Sequence, residues 1–401
     1  MTAPAEPAAG AVSRRIAIHN PVLLVVMLVA ATAITSSGFL MLAANRLVAG
    51  RPIALWAAAR PAPTIAIVVI GALLLAASLL PPTRAVHAIV AVLAGFLLLS
   101  SLATLGLASR EIAATASRAA RVSPGAAFWF VAAAAALALI DALQRLDAGP
   151  PLRLLAMLAI GTGILGLAAA GSFDALSIAR EYAARRQLFA EALVRHIALV
   201  GGSVGPALVI GFALGVAALR KPRLHGPLFA ILNLLQTIPS IALFGLLIAP
   251  LSALAGAAPW LASLGVGGIG PAPAIIALIL YALLPIARST VAGLAGVDPA
   301  VLDAASGMGL TARQIFLGIE LPLALPVLLA GLRIVVVETI GLAVIAALIG
   351  AGGLGTFVFE GLGQYALDLV LLGALPAIFL ALAADFGLRI LSDLLPARVT
   401  G

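Results

Sequence analysis

The chain has no cysteine, so disulfides, thiolate metal sites and a cysteine nucleophile are excluded. Charge is scarce as well. Asp, Glu, Lys and Arg make up 9% of the 401 residues, where a soluble domain carries about 25%. Lysine occurs once, at Lys221, against 22 arginines. No glycine-rich phosphate-binding loop precedes that lysine, which excludes a phosphate-loop ATPase. Four scattered histidines give no metal-ligand spacing, and no Ser-His-Asp grouping stands out. Three Trp and three Tyr lie dispersed, so the arginines have no stacking aromatics beside them and no nucleic acid is expected as a partner. The formal net charge of +8 then reads as membrane anchoring of loops.

What is present is apolar length. Hydrophobic residues form 63% of the chain, and mean hydropathy is +1.22. A fold of this size cannot hide so much apolar surface from water, so lipid is its solvent. Ten spans are expected, over about 21–43, 63–81, 86–107, 125–146, 152–172, 194–219, 226–251, 271–294, 322–349 and 366–391. None alternates polar and apolar residues as barrel strands do. With no water to pair exposed backbone groups, such runs form helices, and the expected fold is an all-α polytopic membrane protein. Arg14 and Arg15 precede the first run, and Ala31-Thr32-Ala33 resembles a cleavage site. The run extends to about Ala44, longer than a signal peptide's apolar core, which favours an uncleaved first span.

The pattern divides near residue 173. Residues 1–173 hold five spans joined by arginine-bearing loops. Residues 174–196 place apolar side chains at helical spacing among arginines and glutamates, as an amphipathic connecting helix does. Residues 197–401 hold five more spans, interrupted by glycine- and proline-rich turns. Arg220-Lys221-Pro222-Arg223 reads as a cytoplasmic loop. Counting onward places 295–321 and the C-terminus with Arg398 on the same side. Counting back to the N-terminus puts loops with Arg46, Arg51 and Arg60, and with Arg110, Arg118 and Arg121, outside, against the charge rule.

The stretch from Val297 to Pro322 carries the most information. Asp298 and Pro299 suit the N-cap and first turn of a helix. Gly307 and Gly309 break it, Thr311 caps a second helix, and Pro322 opens the next span. This stretch is similar to the Glu-Ala-Ala coupling motif of ABC-importer permeases: Glu-Ala-Ala, three residues, Gly, nine residues, Ile, one residue, Leu-Pro. Asp303, Ala304, Ala305, Gly309, Ile319, Leu321 and Pro322 fall at those spacings, with Asp303 replacing the glutamate. The resemblance implies that the loop 298–320, Arg313 included, seats on a cytoplasmic ATPase.

Three further stretches resemble the permeases of glycine betaine, choline and related osmoprotectant importers. They are Leu235 to Leu243, Leu280 to Arg288, and Ala346 to Gly355. The five N-terminal spans resemble the long form of that family. The resemblance implies an inner-membrane translocation subunit that binds no cofactor itself while its partner consumes ATP. The implied partners are ABC ATPase subunits, an extracytoplasmic substrate-binding protein, membrane lipid, and a second permease copy or a paralogue. Other readings are an ion-coupled secondary transporter acting without an ATPase, or a membrane scaffold.

Candidate pathway residues sit near two intramembrane prolines, Pro239 and Pro285, which remove backbone hydrogen bonds. Gln236, Thr237 and Ser240 offer polar groups there, which either line the conduit or hydrogen-bond neighbouring helices; Tyr281 and the two prolines are pathway candidates as well. Glu338 is the deepest carboxylate. It either serves the pathway or pairs structurally, with Arg333 or with another helix. Asp141/Arg145 and Asp385/Arg389 are spaced as i,i+4 ion pairs. His196, at the start of span six, reads as interfacial, and Gly350–Gly355 as a flexible outer turn.

Overall fold

A computed structural model describes residues 18–45, 48–117, 119–263 and 265–394. Arg14, Arg15, Arg46, Arg118 and Arg398, used above, lie outside these. The chain forms two compact units, Met1–Ala179 and Arg180–Gly401.

In the first unit, helix α1 (Pro21–Ser36) leads into strands β1 (Leu40–Ala43) and β2 (Arg51–Ile53). Then follow α2 (Leu55–Ala58), α3 (Pro61–Ala77), α4 (Arg84–Thr115), β3 (Arg121–Pro124), α5 (Ala126–Arg145) and α6 (Pro150–Ala169). The strands form one antiparallel sheet in the order β2-β1-β3, a small addition to an otherwise helical fold. It also corrects the expected first span. The helix stops at Ser36, because the hydroxyls of Ser36 and Ser37 each donate to last-turn carbonyls, those of Thr32 and Ala33, at 2.7 Å. The apolar residues beyond it then pair as a strand. Phe39 packs edge-on against Phe128, centroids 5.8 Å apart, and both are buried. The Asp141–Arg145 pair forms at 2.8 Å, and Asn20 donates to the same carboxylate at 2.7 Å.

Helix α7 (Ser177–Ala184) precedes the long α8 (Arg186–Arg220). The second unit continues with α9 (Pro222–Thr237), α10 (Ser240–Ala257), α11 (Pro259–Ser263), α12 (Pro271–Ala295), α13 (Pro299–Gly307) and α14 (Ala312–Ile315). It closes with α15 (Leu321–Ile345), α16 (Gly355–Gly363) and α17 (Leu367–Leu394). The connecting helix expected over 174–196 is therefore two pieces. Arg185 leaves helical dihedrals, and its guanidinium reaches Glu360 at 2.7 Å. Residues 186–196 run on into span six, and α8 continues to Arg220 with Pro206 inside it.

The centre of this unit is α12, packed against α8 and α15. On α8 small residues recur every fourth position and are buried: Ser203, Ala207, Gly211 and Gly215. This stripe lets the backbones approach closely, as small residues do between helices in lipid. A Cβ on Gly211 would lie 2.8 Å from Ile286, and one on Gly215 2.6 Å from Thr290. A larger side chain at either position costs about 1–3 kcal/mol by overpacking.

Among the described residues, eight helices are long and apolar enough to cross a membrane, and α1 and α3 are shorter apolar helices of 16 and 17 residues. The ten expected spans all coincide with helices, but span seven is broken. Pro239 has no N–H to donate, so α9 ends at Thr237 and α10 begins at Ser240.

Candidate functional site

The 298–320 stretch folds as a helix, a turn and a second helix. The Asp298 carboxylate accepts the Ala300 N–H at 2.8 Å and caps α13. Gly309 follows at φ +80°, a left-handed conformation that glycine alone adopts without strain. Thr311 and Gln314 then form a reciprocal capping box at the start of α14.

Pro322 does not open a separate helix. Residues 312–349 form one continuous helical rod of 38 residues. The proline is absorbed by a π-turn at Phe316–Glu320, in which the Leu321 N–H donates to Phe316 five residues back. Widening the helix there relieves the clash and the missing donor that a proline brings. The second half of the coupling stretch, from Ala312, and span nine are thus one helical piece, which α13 joins through the Gly309 turn.

Within α13 two faces separate. Ala305 is buried and Leu302 half-buried. Val301, Ala304 and Met308, at i, i+3 and i+7, point outward, with Met308 73% exposed. Asp303, Gly309 and Arg313 are exposed as well, Ile319 and Leu321 are half-buried, and Pro322 is exposed. This leaves an outward apolar stripe on the loop with no cover from its own chain. Met308 escaped the motif-based reading, although an apolar residue at a helix C-terminus was its available signal.

Glu320 escaped it too, as the unspecified position between Ile319 and Leu321. Its carboxylate is buried and accepts from Arg220 Nη2 at 2.5 Å. The same guanidinium lies 5.7 Å from the Phe316 ring, which packs beside Phe212. The end of α8 is thereby tied to the π-turn. One hundred residues separate this pair, so no local spacing announces it.

The pathway candidates sort differently. Gln236 Nε2 donates to the Tyr281 carbonyl at 3.0 Å, and the Tyr281 hydroxyl donates to the Ile238 carbonyl. This reciprocal clasp satisfies one carbonyl at the Pro239 break, that of Ile238, and one that Pro285 leaves without its donor, that of Tyr281. Gln236 and Tyr281 therefore hydrogen-bond across helices. Thr237 is exposed and donates back to Leu234 at 2.7 Å. Ser240 is half-buried at the first position of α10, and Pro285 half-buried within an unbroken α12.

Glu338 lies on the outward face of α15, in line with Val327, Ala330, Ile334 and Gly341. It does not pair with Arg333. That guanidinium instead forks onto Asp385 of α17 at 2.7 and 3.0 Å, a cross-helix pair in place of the expected Asp385–Arg389 pair. His196 is fully buried within the protein. Its Nε2 lies 3.2 Å from the Ile340 carbonyl and so carries the proton. The 350–355 turn is pinned rather than loose: Arg195 Nε donates to Ala351 at 3.1 Å.

Residues 207–401 match the family described as the binding-protein-dependent transport system inner membrane component. Residues 18–179 match the N-terminal domain of the ABC transporter permease YehY. The osmoprotectant import permease protein OsmW of Salmonella typhimurium is 41% identical over 51% of this chain and 90% of its own length. The carnitine transport permease protein OpuCB of Listeria monocytogenes is 39% identical over 45% and 78%. The choline transport system permease protein OpuBB of Bacillus subtilis is 35% identical over 49% and 82%. The chain belongs to the family of multi-pass permease components of binding-protein-dependent ABC transport systems.

Proposed function

We propose that this chain is the translocation subunit of an ATP-driven importer of glycine betaine or a related quaternary-ammonium osmoprotectant in the bacterial inner membrane. The substrate class rests on the relatives, whose names give osmoprotectants, carnitine and choline as their cargo. Two copies, or one copy and a paralogue, enclose the pore. An extracytoplasmic binding protein delivers substrate, and its site sets most of the selectivity. The chain itself binds no cofactor; ATP is hydrolysed on separate subunits.

The observation that carries this reading is the continuity of the coupling loop with span nine. An ATPase groove receives Asp303, Ala304 and Met308, while Ala305 holds α13 to its own chain. Closure of the ATPases on ATP displaces α13 and α14. The π-turn transmits that displacement along the 312–349 rod, and the Arg220–Glu320 pair carries it to α8. Opposite ends of the pore then open in turn. Glu338 supports the placement of the pathway. A lone carboxylate facing hydrocarbon is costly, so the outward face of α15 meets a water-filled path or a second permease copy.

Reconstitution of the chain with its ATPase and binding protein in proteoliposomes tests this directly. Accumulation of labelled glycine betaine should require both partners and ATP. Uptake that survives without the ATPase would identify an ion-coupled transporter instead, and ATPase binding without any uptake would identify a scaffold.

A further inference from the structure

In the first unit, α4 and α6 run side by side in the same direction and touch at one level. There a Cβ on Gly163 would lie 2.7 Å from Leu99, and one on Gly95 3.4 Å from Ile160. Toward their N-terminal ends the two helices part. The wedge between them, closed at the back by α5, is a crevice of about 380 Å³. Ala88, Phe96, Leu143, Leu146 and Leu155 wall it, and no polar residue lines it. No residue of α6 is buried.

Its dimensions select the occupant. From Ala88 to Leu99 the helix rises about 16 Å, close to half of a hydrocarbon core of about 30 Å. A transmembrane helix, about 10 Å across, is too wide for a wedge whose walls meet where Gly163 approaches Leu99. Water would find no hydrogen-bond partner there. One extended hydrocarbon chain matches both the length and the lining.

The open end carries charge. Arg84 stands one turn before Ala88 on the same face of α4, and Arg153 three residues before Ala156 on the same face of α6. Neither guanidinium has an ion-pair or hydrogen-bond partner among the described residues. Arg145, at the same end, is held by Asp141. Asp147 in the turn between α5 and α6 leaves the mouth net positive.

We propose that this crevice binds one acyl chain of an anionic glycerophospholipid, with Arg84 and Arg153 neutralising its headgroup phosphate. The intact chain, purified and delipidated in detergent, should be mixed with vesicles of equal phosphatidylglycerol and phosphatidylcholine, and retained lipid counted by native mass spectrometry. At least one phosphatidylglycerol per chain is expected, in severalfold preference to phosphatidylcholine. The double variant Arg84→Gln/Arg153→Gln should lower that retention about tenfold and leave phosphatidylcholine unchanged. Ala156→Trp, which fills the crevice, should remove both. Arg110→Gln, at the other end of α4, should change neither. Equal retention of the two lipids by the unaltered protein, or phosphatidylglycerol held undiminished by the double variant, overturns the proposal. Neither readout depends on transport.

Discussion

Arg220 and Glu320 meet at 2.5 Å with the carboxylate buried and the guanidinium half exposed, joining the last residue of α8 to the end of the π-turn. Breaking a buried pair costs about 3–5 kcal/mol. The exposure of Arg220 lowers that to about 1–2 kcal/mol. Glu320→Gln should therefore leave the protein folded while uptake per ATP hydrolysed falls several-fold. The exchanged pair, Arg220→Glu with Glu320→Arg, should restore part of it. Coupling ratios in proteoliposomes decide this; an unchanged ratio in Glu320→Gln removes the pair from the transmission path.

Met308 predicts a loss of partner without a loss of fold. At 73% exposure it contributes little to its own chain, and surface substitutions of this kind stay within about 0.5 kcal/mol. Met308→Asp should keep the thermal midpoint of the purified chain and abolish co-purification with the ATPase.

Gly309 predicts a graded loss of the same partner, through the shape of the turn. Placing a Cβ at φ +80° costs about 1–2 kcal/mol, and the turn alone carries that strain. Gly309→Ala should weaken ATPase binding about tenfold, measured by titration of the ATPase onto nanodisc-held chain, with membrane insertion unchanged.

Tyr281→Phe removes the hydroxyl that serves the Ile238 carbonyl beside the Pro239 break. Leaving a buried carbonyl unpaired costs about 1–3 kcal/mol. The detergent-solubilised variant should melt several degrees lower.

Glu338 separates pathway from packing. Glu338→Gln keeps the size and removes the charge. Labelled glycine betaine uptake should fall at least several-fold, while the melting temperature holds or rises, because a costly intramembrane charge has gone. A variant that transports normally places Glu338 outside the conduit.

Much of this architecture was legible because lipid imposes a simple grammar: apolar length fixes a helix, and punctuation marks its ends. Asp298, Pro299, Gly309 and Thr311 act as the caps and breaker that their types announce. Reading failed where one signal carries two meanings. The run from Pro21 to Ala44 is mostly apolar, and the Ser36-Ser37-Gly38 interruption is where its tail leaves the helix for a strand. Pro322 marks a helix start in most settings, yet here a π-turn carries the helix through it. Side-chain partners across helices were out of reach. Arg333 has a glutamate five residues on in sequence but bonds Asp385, 52 residues away, and Arg220 finds Glu320 at a separation of 100.

The unbroken rod from Ala312 to Ile349 has 38 residues, about 57 Å along its axis. A bilayer with its headgroups measures about 40–45 Å. Set straight along the bilayer normal with its far end at the opposite surface, such a rod would reach past the lipid by about two turns. A water-soluble motor can then grip its tip without entering the membrane, and a small swing outside becomes a tilt along the whole length within.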